Sequence, residues 1–178
     1  MIDHMDDGLG AAIKALDEVV GPAIDTSNPL AVEQLRLVSR FLGFVRSRGP
    51  LNHERLHHEL RHYIALATQL AGMAPANLEV PAQEILEQAV KTASPLASDP
   101  RATSAQLQRS IDSLSSAVSS LVRLVATAPV AVRDPVERTV VRASQSLLNT
   151  QRAWFLPMGF EPDPGRVPAL GSALAEDR

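Results

Sequence analysis

Oily side chains recur along this chain at intervals of three and four, the period that puts them on one side of a helix. Leu107, Ile111, Leu114, Val118, Leu121 and Val125 give the cleanest case, alternating steps of four and three without a miss. Such a seam packs against another helix knobs-into-holes at a small crossing angle. Leu9, Ile13, Leu16 and Val20 draw a first stripe over about Asp6–Val20, ended by Gly21-Pro22. Leu30–Arg48 is apolar over about half its circumference, with Leu35, Val38, Leu42 and Val45 in one row and Leu37, Phe41 and Phe44 beside it. One surface contact needs only ~100° of arc, so this second helix should meet neighbours on two sides or form part of a subunit interface.

A third helix is expected from Leu51 to about Gly72, turning Leu56, Leu60, Tyr63, Ile64, Ala67 and Leu70 inward and stopping at Gly72-Met73-Ala74-Pro75. A fourth, Pro81 to Ala93, should bury Ile85, Leu86, Ala89 and Val90, and Ser94-Pro95 through Pro100 reads as the next turn. The sixth helix, Pro135 to about Phe155, carries Val136, Val140, Ala143, Leu147 and Trp154. It should form a long antiparallel hairpin with the fifth. Proline is welcome at the first helical position, where its missing N–H would be unpaired anyway. Asn28-Pro29, Gly49-Pro50, Asp99-Pro100 and Asp134-Pro135 therefore all read as helix starts.

Together these predict an all-α fold: a compact bundle of about six helices over residues 1–156, with a Pro/Gly-rich, non-helical tail at 157–178. That tail still carries Met158, Phe160, Val167 and Leu170. A purely solvated segment needs no such residues, so Met158 and Phe160 should pin it to the bundle or to a second subunit.

Composition narrows the picture. At 45% hydrophobic and only 3% aromatic residues, the core must be aliphatic, which favours helix-on-helix packing over a β-sandwich. No cysteine is present, so disulfides, thiolate metal sites and cysteine nucleophiles are excluded. Its absence also suits a cytoplasmic protein. The acidic start lacks a signal peptide's positive n-region. The most apolar stretch, Leu121–Val132, is broken by Arg123 and Pro129 and is too short to span a bilayer.

A net charge of −3 does not suggest nucleic acid as a partner, but the charge is uneven. Asp3, Asp6, Asp7, Asp17, Glu18, Asp25 and Glu33 face a single Lys14 in the first 33 residues. Arg36, Arg40, Arg46, Arg48, Arg55 and Arg61 then dominate up to His62. The acidic first helix should lie beside the basic second and third, within one chain or across a dimer.

Four of the five histidines fall in His53-Glu54-Arg55-Leu56-His57-His58-Glu59-Leu60-Arg61-His62. At about 100° per residue, His53 and His57 share an edge of the apolar stripe, while His58 and His62 should look at water. The His-Glu-x-x-His letters match the zinc-binding spacing of metalloprotease helices, but no later histidine can complete the set, so a metal is not favoured at His53 and His57. Glu54-x-x-His57 and Glu59-x-x-His62 stand on one helix, whereas di-iron bundles need such pairs on two. There is no nucleophile elbow, phosphate loop or dinucleotide fingerprint.

Three functions remain open. A non-catalytic, homodimeric interaction protein accounts for the most features. A small-molecule binder or enzyme could use an inter-helical pocket with His53, His57, Tyr63, Arg36 and Arg40, its ligand and cofactor unspecified. A protein that coats a lipid or hydrophobic particle is disfavoured by scarce Trp, Phe and Lys.

Overall fold

The computed structural model describes residues 2–73 and 80–175 and is all-α, with no strand among the described residues. The helices are α1 (Ile2–Ala15), α2 (Pro29–Arg48), α3 (Asn52–Met73), α4 (Val80–Ser98), α5 (Ser104–Val125), α6 (Val130–Phe155) and α7 (Leu170–Ala175). They divide into two compact units, residues 1–52 with 151–167, and residues 53–150 with 168–178. These units follow a different line from the compositional change at residue 156.

The second unit holds the core. Every seam residue of α5 is buried: Leu107, Ile111, Leu114, Val118, Leu121 and Val125. Around it gather Leu56, Leu60, Leu66, Ala67 and Leu70 of α3, Leu86 and Ala93 of α4, and Val136 of α6. Each buried Leu, Ile or Val among them contributes roughly 1.5–3 kcal/mol by leaving water. Helix α5 begins at a reciprocal capping box, in which the Thr103 side chain accepts from the Gln106 N–H and Gln106 Oε1 accepts from the Thr103 N–H. Asp99-Pro100 is thus not its start; Asp99 instead accepts from the Arg101 N–H in a tight turn.

Two prolines read as boundaries lie inside helices. Helix α4 runs through Pro95 to Ser98, and α6 begins at Val130, five residues before Pro135. Each proline stands within two turns of a helix end, where it removes one backbone hydrogen bond. Packing offsets that loss: Leu96 and Ala97 lie against the core beyond Pro95, and Val136 is buried just after Pro135. Ile85, expected inside, is exposed, whereas its neighbour Leu86 is buried as expected. The stop at Gly72–Pro75 lies partly outside the described residues.

The first unit is built differently. Among the described residues from His4 to Arg55, no residue is buried. The first helix does not end at Gly21-Pro22 but continues through a π turn, Leu16–Val20, and a last α-helical turn, Gly21–Ala23. Pro22 would clash with the carbonyl four residues back in a regular helix. A widened turn, closed by the Gly21 N–H on Leu16 O, directly precedes that proline. The acidic and basic helices do meet within the chain: Arg46 makes a two-pronged ion pair with Asp6 at 2.8 and 2.9 Å, and Ser39 donates to Asp17 at 2.8 Å.

Arginines hold the segment after α6. Arg48 donates to the carbonyls of Trp154 (2.9 Å) and Ala153 (3.1 Å), Arg40 to that of Met158 (3.0 Å), and Arg152 pairs with Glu161 at 2.8 Å. The last carbonyls of a helix have no partner within it, and Arg48 supplies one. Phe160, expected as a pin, is 68% exposed. Gly159 between them adopts φ +72°, and a Cβ there would stand 3.2 Å from the Arg40 guanidinium. That left-handed turn needs glycine.

Two stability measurements follow. In urea unfolding, Leu114→Ala should cost about 2–5 kcal/mol, whereas Ile85→Ala should stay within about 0.5 kcal/mol. Arg48→Met leaves the two carbonyls without their donor and should cost about 1–3 kcal/mol; an unchanged midpoint would show that Arg48 does not hold this segment.

Candidate functional site

The histidine-rich start of α3 sits in the second unit, and its burial is the reverse of the expected one. His58 and His62 are buried, at 1% and 8% exposure, while His53 and His57 are half-buried. A single inward stripe cannot explain this, because α3 is covered on two sides. His58 Nε2 lies 3.2 Å from Thr150 Oγ1 of α6, and His57 faces the end of α4.

His57 and His53 form a short polar chain. The His57 Nδ1 lies 3.2 Å from the Ala97 carbonyl, in the last turn of α4. A carbonyl only accepts, so Nδ1 carries the proton and His57 acts as a side-chain cap for an orphan helix carbonyl. The neutral ring then offers a lone pair at Nε2. His53 Nε2 stands 3.2 Å away and donates to it. With its proton on Nε2, His53 accepts at Nδ1 from the Ser104 hydroxyl, 3.4 Å away at the start of α5. Donor direction is thus set from Ser104 through His53 and His57 to Ala97, and the two rings cross edge to face at 4.7 Å.

Partial burial holds the His57 pKa below its ordinary value. The proximity of His53 and Arg61 acts in the same sense, while the Ala97 carbonyl and Asp99 oppose it. His53 and His57 thus do not point into bulk water. Among the described residues there is no group of three or more His, Asp or Glu placed to hold one metal ion, so the third ligand that the His-Glu-x-x-His letters require is not supplied.

Tyr63 is half-buried against the core and meets His62 edge-on at 6.0 Å. Arg36 and Arg40 belong to the first unit, where they line an open groove of about 480 Å³ with Asp17, Val32, Leu35 and Ser39. In that groove Asp17 accepts from Ser39, and Arg40 is committed to the Met158 carbonyl.

Residues that sequence reasoning missed are in the first unit. Phe44 stacks on Phe155 at 5.5 Å, meets Trp154 edge-on at 6.3 Å and approaches Phe41 at 6.2 Å. The Arg48 guanidinium lies 5.9 Å from the centre of the Trp154 ring, within cation–π reach, and desolvation lowers its pKa from the usual arginine value. The signal available was the clustering of Phe41, Phe44, Trp154 and Phe155 in a chain with so few aromatics.

No family model matches the chain, and no curated protein or solved structure is significantly similar to it.

The His57 shift has a pH consequence with a definite sign. Because the folded-state pKa is depressed, the unfolded chain takes up the proton first, and its contribution to stability is present above the unfolded value and lost as pH falls through the folded one. In metal-free buffer the denaturation midpoint should therefore drop below neutral pH, and His57→Gln should remove part of that slope. An NMR titration midpoint for His57 above about 6.5, the ordinary imidazole value, would contradict this.

Proposed function

We propose that the chain is a non-catalytic helical interaction protein that works as a homodimer, with a second copy covering the apolar face of α2. One observation carries this: Leu30, Val38 and Phe41 are 68%, 47% and 52% exposed on one side of a helix in which no residue is buried. Leu30, Leu37, Val38 and Phe41 fall at i, i+7, i+8 and i+11, the spacing one helix uses against another. The patch continues through Phe44 to Phe155, itself 55% exposed.

A second copy fits this face because a two-fold contact sets the same row against itself. A helix of twenty residues is about 30 Å long, so two such rows laid side by side enclose a continuous apolar strip. The polar side of α2 is already used within the chain, through Arg46 on Asp6 and Ser39 on Asp17. A cysteine-free chain with no described helix long and apolar enough to cross a membrane suits a cytoplasmic setting. A modest negative charge speaks against nucleic acid as the partner.

Size-exclusion chromatography with light scattering tests the proposal. Wild-type protein should run at twice the chain mass at micromolar concentration. Leu30→Glu with Phe41→Glu should weaken self-association at least tenfold while the helical circular-dichroism signal is kept. A wild-type monomer throughout the micromolar range overturns it.

A further inference from the structure

We propose that His53 and His57 form a two-histidine site for one divalent transition-metal ion of the zinc, nickel or copper class, with water in the remaining positions. Three features of the pair carry this. The first is separation. The two Nε2 atoms stand 3.2 Å apart, and two nitrogens bound to one tetrahedral zinc at about 2.0–2.1 Å stand about 3.3 Å apart.

The second is the outer shell. A metal-bound histidine characteristically uses its other ring nitrogen to donate to a carbonyl, carboxylate or hydroxyl oxygen, which fixes the tautomer and the ring plane. His57 already donates in this way to the Ala97 carbonyl, and Ser104 Oγ stands within reach of His53 Nδ1 to accept from it once the His53 proton moves there. Both stand at helix ends: Ala97 is in the last turn of α4, and the exposed Ser104 is the first residue of α5 behind the Thr103 cap.

The third is that the proton can be cleared without charge cost. In the metal-free chain one proton lies between the two Nε2 atoms. Moving it from Nε2 to Nδ1 of His53 frees the second lone pair, and the Ser104 hydroxyl, which can donate or accept, turns round to receive it. Both imidazoles stay neutral, as ligands must be, and no proton is released. With two protein ligands the ion keeps open positions, unlike a closed structural zinc site.

Isothermal titration of the full chain with zinc chloride, and separately with nickel chloride, tests the site after chelator treatment. One ion should bind per chain. His53→Ala and His57→Ala should each weaken binding at least tenfold, Ser104→Ala should weaken it several-fold, and His4→Ala should leave it unchanged. Because His57 also caps α4, a second measurement keeps the test independent of folding. Substoichiometric nickel added to wild-type protein should broaden the ring-proton NMR signals of His53 and His57 more than those of buried His58 and His62. The proposal is overturned if no saturable binding is seen, if His53→Ala binds as wild type, or if broadening is centred on another histidine.

Discussion

Burial of one unbroken aliphatic seam is the interaction on which the second unit depends. Leu107 through Val125 turn the same side of α5 inward for six consecutive contacts, and all six side chains leave solvent. Once that row is enclosed, α3, α4 and α6 must each bring an apolar side to it, as Leu60, Leu70, Leu86 and Val136 do with 0 to 1% exposure. The histidine pair is a consequence of this packing. Its partners are the carbonyl at the end of α4 and the hydroxyl at the start of α5, two helix termini that the seam draws up to the first turns of α3.

The first unit rests on other forces. Among the described residues it has no enclosed aliphatic core over α1 and α2, and instead has an arginine–aspartate pair, three arginines on the chain after Gln151, and a short run of aromatic rings. Exposed ion pairs contribute little on their own. Arg48 differs because it satisfies helix carbonyls beside a buried Trp154. The apolar surface left open on α2 is the basis of the proposed homodimer, since a weakly cored unit gains most from covering such a face.

The hydrophobic period made the inward row of α5 legible, though not its start at the Thr103 cap, together with the inward residues of α3 and the neighbourhood of acidic α1 and basic α2. Proline misled where packing outweighed its local cost: Pro95 and Pro135 each forgo one hydrogen bond and are carried by Leu96, Ala97 and Val136. His58 and His62 were misassigned because a single stripe assumes one covered face, whereas Thr150 closes a second side of α3. Phe160 was given a role that Arg40 and Arg48 perform through backbone carbonyls and Arg152 through the Glu161 carboxylate. A side chain reaching a distant carbonyl leaves no periodic trace in sequence. The hydrogen-bond chain from Ser104 to Ala97 was invisible for the same reason, although the pairing of His53 with His57 was not.

Amide hydrogen exchange resolved by residue tests the central claim, that the seam of α5 and its partners form the most stable part of the molecule. The slowest amides, opening only with global unfolding, should lie in Leu107–Val125 and Leu56–Leu70, with α1 exchanging far faster. Slowest exchange in α1, or equal protection along the whole chain, would contradict it.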